Sequence, residues 1–280
     1  MRCLRTTTLG YSPCPNDTFI FCGLVQGKIP LSHVCFAEPQ LEDVETLNSW
    51  AMQGSLDVTK LSVHALGYLL DSYTLLDSGA ALGRGCGPLL VTAQATAPQA
   101  KGDLAAWTIA IPGQYTTAAL LLRLFLPKSC RTVVVMRFDQ IMDAVVSGQV
   151  DAGVIIHESR FTYQERGLLC VQDLGVWWEQ ETGLPLPLGC IAARKDLATE
   201  VLRETEQAIT ESIRWGYAHL DECRSYIRQH AQEIDDKVLT SHINLYVNDF
   251  SLRLGEEGRA AIQELLRRGR AAGVFTIPLA

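Results

Sequence analysis

The chain has 280 residues, of which 48% are hydrophobic and 20% charged, with a formal net charge of −7. This composition belongs to a folded globular protein, and an acidic chain without a Lys/Arg cluster excludes nucleic acid as the main partner. No apolar run approaches the ~20 residues that cross a bilayer, and the opening MRCLRTTTLGYSPCPNDTF lacks the apolar segment of a secretory signal.

A cytoplasmic location without a membrane partner is therefore expected. The nine cysteines (Cys3, Cys14, Cys22, Cys35, Cys86, Cys130, Cys170, Cys190, Cys223) form no CxxC pair, which suits reduced thiols.

Short apolar strands alternate with amphipathic stretches up to Ala193. Candidate strands cover residues 4–9, 34–38, 57–60, 73–76, 89–93, 107–111, 132–136, 153–156, 169–173 and 189–193. Helical patterns cover 17–26, 41–53, 117–125, 140–147 and 158–165, and helices run from an N-cap at Asp196 to about Arg270. The alternation predicts an α/β chain of βαβ units with mixed, mostly parallel sheets.

A five-residue pattern recurs. Gly54-Ser55-Leu56-Asp57-Val58 ends one helical pattern and opens a strand, and Gly148-Gln149-Val150-Asp151-Ala152 does the same further on. The strands that follow end at Lys60-Leu61-Ser62 and at Ile156-His157-Glu158. Two similar lobes facing one cleft are expected, with Ser62 on one side and His157 on the other. Gly/Pro-rich stretches at 79–88 and 184–189 suit crossing segments. They divide the chain into a discontinuous large lobe, 1–89 with 189–280, and a small lobe, 90–188.

His157 follows the apolar strand Gly153-Val154-Ile155-Ile156, at the carboxyl strand end where open α/β sheets place ligands. With an ordinary pKa of about 6.5, imidazole suits proton transfer near neutrality, although a core or capping histidine fits the same spacing. Ser12-Pro13-Cys14-Pro15-Asn16-Asp17 lies between strand and helix, so Asn16 or Asp17 caps that helix or its N–H groups receive a carboxylate. Thr116 and Thr117, and likewise Lys60-Leu61-Ser62, bind an anion or cap a helix. Cys14 and Cys86 sit in Gly/Pro-rich loops that could line a site, and Trp177-Trp178 serve as a ligand wall or as core. There is no GxGxxG, GxxxxGK[ST], HExxH or GxSxG, and the six histidines show no metal-ligand spacing, so no metal is expected.

The segments SPCPNDTFIF, LEDVETLN, TKLS, GAALGRG, GVIIHESRFTY, TGLPLPLG and YVNDFS, in order from about Leu9 to Gly258, resemble the 1,4-dihydroxy-6-naphthoate synthases of the futalosine route to menaquinone. The resemblance implies a two-lobed fold like type II periplasmic binding proteins. It also implies conversion of cyclic dehypoxanthine futalosine to 1,4-dihydroxy-6-naphthoate with release of dihydroxyacetone. His157 then matches the family's proton acceptor, Lys60-Leu61-Ser62 and Thr116-Thr117 its substrate-binding segments, and no cofactor is implied. The partner expected is a small-molecule carboxylate, and a monomer is the default oligomeric state. Two other readings stay open: a non-catalytic small-carboxylate-binding protein, and the chorismate dehydratase of the same pathway.

Overall fold

The computed structural model describes residues 6–93, 104, 106–126, 132–231 and 235–275. Two sheets of the same plan organise them. In the first, three parallel strands stand in the order β4 (Gln40–Leu41), β2 (Leu9–Tyr11), β5 (Val58–Ser62). Beside β5 runs the antiparallel β13 (Leu186–Arg194), which also pairs with β6 (Tyr73–Leu75) and β7 (Ala81–Gly83). The second sheet repeats this: parallel β10 (Thr132–Val135), β9 (Thr108–Ile111) and β11 (Ala152–Ile155), then antiparallel β8 (Leu89–Thr92), then β12 (Leu169–Asp173). A separate pair joins β1 (Thr6–Thr7) to β3 (Cys35–Phe36).

The recurring Gly-Asp pattern does the same work in both sheets. Gly54 and Gly148 take left-handed φ of 69° and 73°, closing the helices before them. Asp57 then accepts the Thr8 N–H at 2.9 Å, and Asp151 accepts the Thr108 N–H at 2.8 Å. Each carboxylate thereby ties the strand it opens to its parallel neighbour.

Helices α1 (Pro15–Val25), α2 (Val44–Met52) and α3 (Val63–Leu69) serve the first sheet. Helices α4 (Thr117–Phe125), α5 (Ile141–Val146), the short α6 (Ser159–Thr162) and α7 (Leu174–Thr182) accompany the second. Helix α1 is buried on all sides because α8 (Thr199–Ala218), α9 (Leu220–His230) and α10 (Asp236–Tyr246) close over it. The chain ends in α11 (Asp249–Leu252) and α12 (Gly255–Ala271). One cluster of buried residues, including Leu61, Leu66, Ile109, Leu121 and Trp178, is continuous between the sheets. The segments leaving and re-entering the first sheet touch at Gly87 and Gly175. A Cβ on Gly87 would stand 2.3 Å from the Gly175 backbone, so only glycine fits.

Several expectations need correction. Residues 4 and 5, Cys3 and Cys130 lie outside the described residues, and the remainder of the first predicted strand divides into β1 and β2. Asp196 is not an N-cap: it pairs with Arg194, and α8 starts after Ala198. The helix over 41–53 begins only at Val44, capped by Asp43, because Leu41 belongs to β4. The helix over 158–165 is a single turn followed by a 3-10 turn, Tyr163–Arg166. Helices α3 and α7 were not foreseen, and the Gly-rich 79–88 stretch contains β7. Trp178 is core, fully buried with its indole N–H on the Pro185 carbonyl.

Candidate active site

Strands β2, β5, β9 and β11 send their carboxyl ends to one cavity of about 90 Å³. Ser12, Asn16 and Asp17 reach it from the β2–α1 turn, Lys60 and Ser62 from β5, Thr116 and Thr117 from the start of α4, and His157 from the end of β11. Strand alternation decides which β5 residues take part. Lys60 and Ser62 face the cavity, whereas Leu61, also expected there, turns into the core and is fully buried.

Lys60 and Asp17 form an ion pair, Nζ to Oδ1 2.5 Å, with side chains only 6% and 2% exposed. Neither Asn16 nor Asp17 caps α1, contrary to the expectation. Cys14 is the N-cap residue and Pro15 opens the helix, leaving Asn16 and Asp17 in its first turn with their side chains free for the site. Asn16 Nδ2 donates to the same Asp17 oxygen at 2.7 Å, and its Oδ1 lies 3.0 Å from His242 Nε2. A cation is thus tied through a carboxylate and an amide to a histidine on α10.

Among the described residues His157 alone combines a side chain with a positive φ, 56°. Such strain at a β-strand terminus is characteristic of functional positions. Its Nδ1 lies 3.4 Å from Cys14 Sγ, Phe138 meets the ring edge-on at 5.0 Å, and His242 stacks parallel to it with centroids 6.4 Å apart. Burial first, then the Lys60 charge, lowers the His157 pKa to about 4, with Asp43 opposing. Burial, His157 and Lys60 hold His242 well below its ordinary value. Burial and the Glu158 charge push the Cys14 thiol well up. Both imidazoles are therefore neutral at pH 7.

The opposite wall is built of hydroxyls and amides. Thr116 caps α4, its Oγ1 accepting from Ala119 N at 3.2 Å, and Thr117 Oγ1 donates to the Leu188 carbonyl at 2.6 Å. Ser62 is held by Asn48, which accepts its N–H at 2.9 Å and donates to its hydroxyl at 3.1 Å. From α3, His64 places Nδ1 3.0 Å from the Thr116 carbonyl, and burial lowers its pKa to about 4. Glu45 on α2 accepts the Tyr115 N–H at 2.9 Å, so a carboxylate already sits at the turn before α4; burial raises its pKa.

Of the two cysteines singled out, Cys86 lines the cavity and Cys14 backs His157. Glu158 Oε1 lies 3.6 Å from His242 Nδ1, and the Cys14 thiol is a hydrogen-bond partner of His157 Nδ1. Cys14 Sγ, a His157 nitrogen and a Glu158 oxygen all lie within 4.8 Å of one another, near enough to share a cation, although no metal is assigned to them. Sequence reading missed Glu45, Asn48, His64, His242 and Tyr246. Of these only His242 and Tyr246, spaced i,i+4 on one face of α10, left a visible signal.

The family model for menaquinone biosynthesis matches residues 7–271. The 1,4-dihydroxy-6-naphthoate synthase of Thermus thermophilus is 48% identical, over 97% of this chain and 96% of its own. That of Streptomyces coelicolor is 46% identical, over 96% and 94%. The periplasmic aliphatic sulphonate binding protein of Escherichia coli superposes with a TM-score of 0.67 at 12% identity, covering 97% of this chain and 89% of that one. The architecture is that of the two-lobed periplasmic binding proteins, and the chain belongs to the menaquinone biosynthesis family.

Proposed function

We propose that the protein is a carbon–carbon lyase converting cyclic dehypoxanthine futalosine to 1,4-dihydroxy-6-naphthoate and dihydroxyacetone, with His157 as general base. The observation that carries this reading is a strained, neutral imidazole at a strand end, opening on the same cavity as a buried lysine and the hydroxyl side chains of Ser12, Ser62, Thr116 and Thr117. The names of the two synthase relatives support it.

The His157 edge bearing Nδ1 faces Cys14, which leaves Nε2 for the substrate. For Nε2 to accept a proton, Nδ1–H donates to Sγ. His157 then removes a substrate proton, a carbon–carbon bond breaks, and formation of the second aromatic ring draws the reaction forward. General-base catalysis supplies roughly 10²–10⁴-fold. Ser62 and the main-chain N–H groups of the first turn of α4, at Thr116 and Thr117, receive the substrate carboxylate. Both threonine hydroxyls already donate to carbonyls, and Lys60, Asn16 and Asp17 form the adjoining wall. This scheme invokes no metal or redox cofactor.

The two sheets are read as the two lobes, 1–89 with 189–280 and 90–188, with the cavity between them. At about 90 Å³ the cavity is small beside the roughly 300–1,000 Å³ of ordinary ligand pockets. A bicyclic substrate therefore enters only when the lobes part, and the Glu45–Tyr115 contact is one that must open. The enzyme is read as cytoplasmic and monomeric.

The test incubates purified protein with the cyclic substrate and follows naphthoate absorbance. Naphthoate formation is expected. A bound but unchanged substrate would instead favour a binding protein, and turnover of chorismate would favour the dehydratase.

A further inference from the structure

The His157 imidazole has a second side that the substrate does not use. Cys14 Sγ, a His157 nitrogen and a Glu158 oxygen lie within 4.8 Å of one another there, with Cys14 Sγ 3.4 Å from His157 Nδ1. Cys14 precedes α1, and His157 and Glu158 follow β11, so both sheets contribute. Cys14 is 7% exposed and the Glu158 side chain 13%. Both line another cavity, of about 100 Å³, and neither lines the substrate cavity. Glu42 and Asp43 share its wall with Arg137, whose guanidinium pairs with Asp139 at 3.2 Å. Carboxylates therefore dominate these surroundings.

A thiol, an imidazole and a carboxylate together are donors that zinc takes. A tetrahedral zinc, with Zn–S of about 2.3 Å and Zn–N or Zn–O of about 2.0–2.2 Å, sets its donors roughly 3.3–3.6 Å apart. Cys14 and His157 already stand at that spacing, and the Glu158 oxygen is the one donor that must draw in. An independent observation on α10 points to a cation in the same place. Asp17, held by Lys60, accepts Asn16 Nδ2, so Asn16 presents its oxygen to His242 Nε2, which carries the hydrogen. His242 Nδ1 is left as a bare acceptor. It is buried without a hydrogen-bond partner and stands 3.6 Å from the Glu158 carboxylate. A buried acceptor facing a carboxylate calls for a cation, or for a donor that a cation holds, between them.

We propose that Cys14, His157 and Glu158 bind one zinc ion behind the base, and that this ion switches the base off. A water completes the four-coordinate set and donates to His242 Nδ1. Zinc takes Cys14 as the thiolate, releasing one proton to solvent, and takes His157 through Nδ1, whose hydrogen passes to Nε2. The thiolate and the carboxylate cancel the charge of the ion, so the complex is neutral and suits a buried place. A neutral imidazole ligated through Nδ1 carries its hydrogen on Nε2, the nitrogen that must accept the substrate proton. Zinc therefore stops the chemistry without filling the substrate cavity. The inhibition rests on the lyase reading above; the metal binding does not.

The test uses the full-length protein, freed of metal with a chelator, and the chlorides of cobalt(II) and zinc as probes. One equivalent of cobalt should give a thiolate-to-metal charge-transfer band in the near ultraviolet, which zinc then abolishes. Cys14→Ser should lose the band, and Glu158→Gln should weaken binding by about tenfold or more. With the cyclic substrate, zinc should lower kcat at unaltered KM, and the chelator should restore it. Glu158→Gln, scored against its own metal-free rate, should need about tenfold more zinc for the same inhibition. No thiolate band in the wild type, a band that survives in Cys14→Ser, or zinc that raises KM at constant kcat would each overturn the site. If the wild type makes no naphthoate, the lyase reading fails separately, and the cobalt spectrum still decides whether the three residues bind metal.

Discussion

The two βαβ units that face each other across the cavity share a frame and differ at their strand ends. In the first, β2–α1 leads to β5, which ends in Lys60-Leu61-Ser62; in the second, β9–α4 leads to β11, which is followed by Ile156 and His157. Asp57 and Asp151 make the same hydrogen bond in each frame. At the ends the first unit carries a buried ion pair and hydroxyls, and the second carries a strained neutral imidazole. The frame tolerates either set because side chains at carboxyl strand ends do not hold the sheet together. A buried charge and a neutral imidazole can therefore be placed at facing strand ends of the two sheets, lining one cavity.

The comparison breaks most readily at the second strand end. His157→Asn should lower kcat with the cyclic substrate by roughly 10²–10⁴-fold while leaving KM nearly unchanged; steady-state kinetics on both proteins measures this. At the first strand end the expected loss is in stability and binding. Lys60→Met leaves Asp17 buried without its cation, at a cost of about 3–5 kcal/mol, and the double variant Lys60→Met/Asp17→Leu should recover much of it. Urea denaturation of the two variants checks the coupling.

A smaller effect follows from the buried histidines. His64, His157 and His242 titrate in the folded protein below their unfolded value of about 6.5. The unfolded chain therefore binds protons first as pH falls. Stability is fully present above pH 6.5 and declines toward pH 4, by up to about 1.4 kcal/mol per pH unit for each histidine. Thermal melts across that range, with His64→Phe flattening the slope, test the sign.

The smallest expected effect sharpens the likeness of the two frames. Asp57→Asn and Asp151→Asn should cost similar amounts, about 1–2 kcal/mol each. Asp151→Asn should also leave kcat unaltered, since that carboxylate holds a strand and touches no part of the site. Denaturation and kinetics on the pair decide it.

The frame was legible in the sequence because it is written locally. Alternating apolar runs gave the strands, and Gly-x-x-Asp at 54–57 and 148–151 gave the repeat. Lys60, Ser62 and His157 were singled out at strand ends, and Thr116 and Thr117 at the start of a helix, positions that periodicity reveals. What stayed hidden depends on contacts distant in sequence. Cys14 meets His157 across 143 residues, and Asn16 meets His242 across 226. Leu61 was placed wrongly because the motif around it was taken whole, while alternation in β5 turns every second side chain away. Asp196 looked like a cap because it precedes a helix, yet Arg194 claims it first. The left-handed backbone at His157 left no mark in composition at all, since glycine usually marks such a position.

The central claim, that a neutral His157 accepts the substrate proton, is tested most directly by the pH dependence of kcat/KM for wild type and His157→Asn side by side. Wild type should hold its activity down to an acid limb near pH 4, the value burial and Lys60 impose on the free enzyme, and the variant should lose that limb. An acid limb at about 6.5, the ordinary histidine value, or an unchanged limb in the variant, would contradict it.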